Sequence, residues 1–164
     1  LFPYTTLFRS RAKVEVNRRP KRLMNGFKKC NKNCIMCPYL TPAHKHATRE
    51  LSKSWEISSE INCQTRNVIY KLLCKKCPDF FYIGETSREI RERFREHKSY
   101  ISQEDHTKVT GQHFNQKGHK ISDLSILPFE KVVPIDDPFI RKQRESYWIC
   151  KYEATKFGAN TRRI

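Results

Sequence analysis

Two short runs rich in β-branched and aromatic residues, 67–73 (NVIYKLL) and 80–84 (FFYIG), stand six residues apart. That spacing most narrows what the chain can fold into. Both runs read as strands. A gap of six residues holding Pro78 allows only a turn, so the two form an antiparallel hairpin. Each run carries a tyrosine: Tyr70 closes Val68-Ile69-Tyr70, and Tyr82 opens Tyr82-Ile83-Gly84 twelve positions on. Thr86 then has Glu89 three residues later, a capping-box pattern that starts a helix. Ile90, Phe94 and Ile101 fall on one face of that helix. Arg93 and His97 lie one turn apart on it.

The later elements are equally marked. Val109 to Gln116 reads as a second helix, ended near Gly118. Leu124 to Val133 reads as a third strand, and Pro128 places it at a sheet edge or at a bulge. Asp136-Asp137-Pro138 supplies the N-cap and first turn of a last helix that runs to about Tyr152. A loop, Phe157-Gly158-Ala159-Asn160, closes the segment. The order β-β-α-α-β-α over 67–164 predicts a small α+β domain, a three-stranded antiparallel sheet flanked by helices. No internal repeat is visible.

Upstream of residue 67 the texture differs. Residues 1–66 hold 14 Lys and Arg against 4 Asp and Glu, and 67–164 hold 19 against 13. The net charge of +16 favours polyanionic partners, nucleic acid first. A solvated basic tail is the plainer alternative. No apolar run approaches the roughly 20 residues of a spanning helix, so no membrane partner is expected. Residues 1–10 (LFPYTTLFRS) resemble translated adapter DNA and are set apart as non-native, which makes the rest read as a piece of a longer frame. They lack a charged n-region, so secretion is not expected. Residues 11–29 read as a basic linker. Residues 30–66 are Cys- and His-rich and poor in apolar side chains, so they need a staple, and a metal supplies one.

Seven cysteines include two Cys-x-x-Cys pairs. An odd count without a secretory signal argues for metal ligation over disulfides. Cys30, Cys34, Cys37 and Cys63 have the spacing of a structural zinc site, with His44 or His46 as alternative ligands. Such a basic finger would grip duplex phosphates. Cys150, beside Trp148, reads as a buried thiol.

Taken together, the two tripeptides and the elements downstream of them resemble the GIY-YIG nuclease family. The match runs through Arg93 on the first helix, through Arg144-Glu145-Ser146-Tyr147-Trp148-Ile149 on the last, and to Asn160 fifteen residues past the glutamate. It covers 67–164. Val68 departs from the family's glycine, and the tyrosine side chain of that tripeptide is retained. The resemblance implies a site of Tyr70, Tyr82, Arg93, His97, Glu145 and Asn160. Tyr70 would accept a proton from the attacking water if a metal and an arginine lower its pKa. Arg93 would hold the charged phosphate oxygens. Glu145 would ligate one Mg²⁺ or Mn²⁺. Tyr82 and His97 would hydrogen-bond within the site, and Asn160 would orient the closing loop. Residue by residue, plainer readings stand beside these: tyrosines as strand residues, and helical pairs Glu89–Arg93 and Arg141–Glu145.

The Cys-x-x-Cys between the tripeptides further resembles the endonuclease domain of Penelope-like retroelements. There, two histidines complete a zinc knuckle, which implies Cys74, Cys77, His113 and His119 here, with His97 and His106 as competitors. The function implied is metal-dependent nicking of double-stranded DNA in the nucleus. A reverse transcriptase domain of the parent polyprotein is the implied partner, and these residues contain none. The alternatives are an inactive, zinc-stabilised nucleic-acid-binding module and a structure-specific repair nuclease.

Overall fold

The computed structural model of the protein describes residues 26–30, 33–41, 43, 45–47, 53–133 and 137–161. In chain order the elements are β1 (Gly26–Lys28), β2 (Lys45–Ala47), β3 (Ser54–Glu56), β4 (Glu60–Asn62), β5 (Val68–Cys74), β6 (Phe81–Thr86), α1 (Ile90–Ser102), α2 (Val109–Phe114), β7 (Leu124–Lys131) and α3 (Pro138–Lys151). Single 3₁₀ turns lie at Cys37–Tyr39 and Ile121–Asp123. From residue 67 onward this is the expected order, and the protein is a mixed α/β fold.

β5 is the centre of an antiparallel sheet of order β6-β5-β7. Its two flanks are hydrogen-bonded and both its faces are covered, which is why its sequence runs almost unbroken in apolar residues. Val68, Ile69, Tyr70 and Leu72 are fully buried. Pro128 satisfies both readings of its position. β7 is an end strand of this sheet, and the register passes from Ile69 opposite Glu130 to Tyr70 opposite Pro128, leaving Phe129 as a bulge.

α3 begins as its sequence dictates. The Asp137 carboxylate accepts from the backbone N–H groups of Phe139 (2.8 Å) and Ile140 (3.4 Å), and Pro138 occupies the first turn. α1 does not. Thr86 is the last residue of β6, and its hydroxyl accepts from the N–H of Arg88 instead. The N-cap is Glu89, without a side-chain cap. A helix start must still place its free N–H groups, and here carbonyls from a distant segment take them. Ile90 N–H donates to Thr65 O (3.0 Å) and Arg91 N–H to Cys63 O (3.1 Å). α2 ends at Phe114, two residues short of the expected span, and Gly118 lies beyond it with φ +87°.

The upstream segment is more structured than its composition implies. The basic linker expected over 11–29 ends in a strand, because β1 pairs in parallel with β4 and Lys28 bridges Glu60 at 2.8 Å. Residues 1–10 and 11–25 lie outside the described residues. Met36, Leu40, Ile57 and Ile61 are buried in the same core as the sheet. Leu40 also bridges to Ile126, and Thr41 N–H donates to Ile126 O (3.0 Å), so this segment covers part of the outer edge of β7. The β2–β3 pair brings His46 and Trp55 against Phe129, Trp148 and Tyr152. Among the described residues, no helix is long and apolar enough to cross a membrane.

A tyrosine–arginine–histidine relay between two candidate metal centres

Tyr70 projects from the central strand toward α1, and its register partner on β6 is Gly84. A Cβ at residue 84 would lie 2.6 Å from the Tyr70 hydroxyl oxygen and 2.9 Å from Tyr82. The glycine of the second tripeptide is therefore a requirement of the first tyrosine. With that space open, the Tyr70 hydroxyl stands 2.8 Å from His97 Nε2 and accepts from Arg93 Nε at 3.1 Å. Arg93 can only donate. The Tyr70 hydroxyl and His97 Nε2 share one hydrogen bond, and His97 Nδ1 lies 3.5 Å from Thr110 Oγ1.

Burial, aided by the Arg93 charge, depresses His97 to a pKa of about 3, so its imidazole is neutral. For Tyr70 burial is the largest influence and raises its pKa, and the opposing pull of Arg93 does not offset it. The expectation is of a phenol lowered by a metal and an arginine together, and the arginine alone does not lower it. In this arrangement the Tyr70 hydroxyl holds Arg93 and His97 in place.

The Arg93 guanidinium also gives Nη1 to Glu96 Oε2 at 2.6 Å, and Glu96 pairs in turn with Arg88. The helical pair Glu89–Arg93 is not formed, and Glu89 binds Arg91 at 2.6 Å. Arg141 also reaches Glu85 (2.5 Å) and Asn67 (2.9 Å). Glu145 lies on the buried face of α3, only 4% exposed, and its carboxylate is close enough to raise the Tyr70 phenol. No group of three or more ligand side chains gathers around it among the described residues. Asn160 is engaged with the backbone of β6. Its Oδ1 accepts from Ile83 N–H (2.9 Å) and its Nδ2 donates to Ile83 O (2.8 Å), so one side chain pairs with the free edge of β6 as a strand would.

Both cysteine groups assemble. The ligand atoms of Cys30, Cys34, Cys37 and Cys63 all lie within 4.8 Å of one another, as do those of Cys74, Cys77, His113 and His119. Zinc with Zn–S bonds of about 2.3 Å sets its sulfurs roughly 3.8 Å apart, and Cys30–Cys37 (3.5 Å) and Cys37–Cys63 (3.2 Å) are near that spacing. Burial pushes the Cys34 thiol up, but the N–H groups of Met36 and Cys37 and the neighbouring thiols outweigh it and bring it down to about 7. A thiol poised there ionises readily for a metal. In the second group Cys77 Sγ is 3.1 Å from His119 Nε2, and His113 Nε2 is buried without a hydrogen-bond partner. Burial and the nearby His119 hold His113 at about 4, in the neutral form that ligates. Both donor sets fit zinc.

The competitors fall away for physical reasons. His46 is neutral at about 4, depressed by burial and by Lys71, and bonds Tyr152 through Nδ1 at 2.6 Å inside the aromatic cluster. His44 lies outside the described residues. His97 belongs to the relay, and His106 is exposed. Cys150 is exposed too, against expectation, because the inward face of α3 carries Arg141, Glu145 and Trp148.

The two centres flank the relay. Cys63 holds the first turn of α1 through its carbonyl, and α1 carries Arg93 and His97. The second centre ties the β5–β6 turn to the end of α2, and α2 carries Thr110. Sequence reasoning passed over Thr110, Glu96 and the special need for Gly84. Of these only Gly84 left a signal, a glycine inside a strand. Comparison with protein-family descriptions, with curated proteins and with solved structures found no match to this chain.

Proposed function

We propose that this chain is a GIY-YIG-type endonuclease domain that nicks double-stranded DNA, of the kind that stands at the C-terminal end of Penelope-like retrotransposon polyproteins. The observation that supports it best is the relay: Tyr70, Arg93 and His97, drawn from β5 and α1, meet beside a cleft of about 140 Å³ that Tyr82 also lines. Phosphodiester hydrolysis builds negative charge on the non-bridging oxygens, and a fixed planar cation is what that charge needs. Tyr70 and Glu96 hold Arg93 by Nε and Nη1. Its Nη2 has no hydrogen-bond partner among the described residues and is the atom to meet a phosphate oxygen. Neutral His97 fixes the Tyr70 hydroxyl. Tyr82, half-buried in the cleft wall, is the tyrosine that a substrate meets. A divalent ion such as Mg²⁺ or Mn²⁺, held by Glu145 together with a bound phosphate, would supply Lewis-acid stabilisation of the leaving oxygen. The nick would leave a 3′-hydroxyl for a reverse transcriptase, on chromosomal DNA in the nucleus.

One observation favours a second reading, an inactive module that only binds nucleic acid: Tyr70 is fully buried and its phenol is pushed up. Nicking of supercoiled plasmid with Mg²⁺ separates the two. Arg93→Ala and Glu145→Ala are expected to slow cleavage by about 100-fold or more while duplex binding persists. A wild type that binds duplex but cuts no faster than either variant leaves only the binding module. Preference for flaps or branches over plain duplex would instead favour a repair-type nuclease.

A further inference from the structure

The cleft beside the relay has a second wall, built by Tyr100, Thr107 and Lys108. Three features set Lys108 apart on it. First, its position is fixed. The turn between α1 and α2 is pinned by Asp105 N–H to Tyr100 O (2.9 Å), Lys108 N–H to Asp105 O (3.1 Å) and Gln112 N–H to Lys108 O (2.8 Å). The Asp105 carboxylate is engaged by the N–H (3.0 Å) and hydroxyl (2.6 Å) of Thr107. Gly111 is part of the same device, because a Cβ there would sit 2.0 Å from Asp105 O.

Second, the ammonium is in no close ion pair. Lys108 is exposed, and its side chain forms no ion pair or hydrogen bond among the described residues. Its Nζ lies 5.8 Å from the centroid of the Tyr100 ring, at the limit of a cation–π contact. The Thr107 hydroxyl and N–H, with help from the Lys108 charge, hold the nearby Asp105 carboxyl below its ordinary range. Third, Arg93 on the facing wall is already partly neutralised by Glu96. A cleft that is to draw in a polyanion gains from a second cation. At about 140 Å³ the cleft is below the roughly 300 Å³ where drug-sized sites begin. It accepts one group of a larger molecule, such as a phosphodiester of a nucleic-acid strand.

We infer that Lys108 is a substrate-binding residue of this cleft and takes the backbone phosphate next to the one that Arg93 holds. This rests on the DNA-directed reading of the site. The test is binding of a labelled DNA duplex by the zinc-loaded chain, without added Mg²⁺ so that nothing is cut, read by fluorescence anisotropy across a salt series. One lost phosphate contact lowers the slope of log K against log salt by about 0.9. Lys108→Ala is therefore expected to bind more weakly on every sequence, with its slope reduced by about that amount, and Lys108→Arg to recover both. Gly111→Ala, which displaces the turn while keeping the lysine, is expected to weaken binding as well. A wild type that binds duplex together with a Lys108→Ala variant of unchanged affinity and slope overturns the assignment of Lys108 alone. A wild type that does not bind duplex overturns the DNA-directed reading and this inference with it.

Discussion

Tyr70→Phe removes a single oxygen from the middle of the relay and leaves the ring that packs the core. Its consequence can be worked out from the partners. The hydroxyl shares a hydrogen bond with His97 Nε2 at 2.8 Å and accepts from Arg93 Nε at 3.1 Å. Tyr70 is 0% and His97 4% exposed, so water does not readily replace either bond. Leaving a buried polar atom without a partner costs about 1–3 kcal/mol. The Arg93 side chain is 25% exposed and keeps Glu96, which puts its share at the lower end. The sum is a loss of about 2–4 kcal/mol. For a chain of this length that lowers Tm by roughly 5–15 °C. Urea denaturation of the zinc-loaded protein measures it, with exposed Tyr147→Phe as the control, expected within about 0.5 kcal/mol of wild type. Gly84→Ala attacks the same hydroxyl from β6 and should destabilise by about 1–3 kcal/mol, the usual cost of overpacking. A Tyr70→Phe protein as stable as the control would refute the relay as a set of buried bonds.

Two further outcomes rest on the metal centres and on the aromatic cluster. Zinc content is expected at two equivalents, with Cys63→Ser and Cys77→Ser each removing one, and with chelation speeding amide exchange at Ile90 and Arg91, whose N–H groups rest on the Cys63–Thr65 turn; an unchanged content in both variants would dismiss both centres. His46 has a folded pKa of about 4 against an ordinary value of about 6.5, so its contribution is complete above pH 6.5 and is lost as pH falls toward 4. At about 1.4 kcal/mol per pH unit this amounts to roughly 3 kcal/mol, and His46→Phe should flatten that part of the stability–pH curve relative to wild type; parallel curves would show that His46 does not titrate as a buried neutral group.

The features legible ahead of the structure were local. The β5–β6 hairpin, the edge strand with Pro128 and the capped start of α3 each rest on side-chain type and near-neighbour spacing. The same holds for the two cysteine pairs. The misleading signals were also local in form. Thr86 and Glu89 make the right pattern for a helix start, but Thr86 is committed to β6, and carbonyls of residues 63 and 65 receive the first N–H groups of α1. Residues 30–66 looked too poor in apolar side chains to pack. Met36, Leu40, Ile57 and Ile61 suffice because they complete a core that the sheet already provides.

The sequence by itself determined the order of elements from residue 67 onward, the strand that carries Tyr70, the helix that carries Arg93 and His97, and the residue types able to ligate zinc. Those depend on periodicity and spacing along the chain. Only the tertiary structure decided that Cys63 closes the first cysteine group, that His46 belongs to an aromatic cluster, that Asn160 clasps the edge of β6, and that burial pushes the Tyr70 phenol up. Each of these turns on what surrounds a group once it leaves water. Desolvation and the partners brought in from far along the chain set protonation and pairing, and no local pattern encodes them.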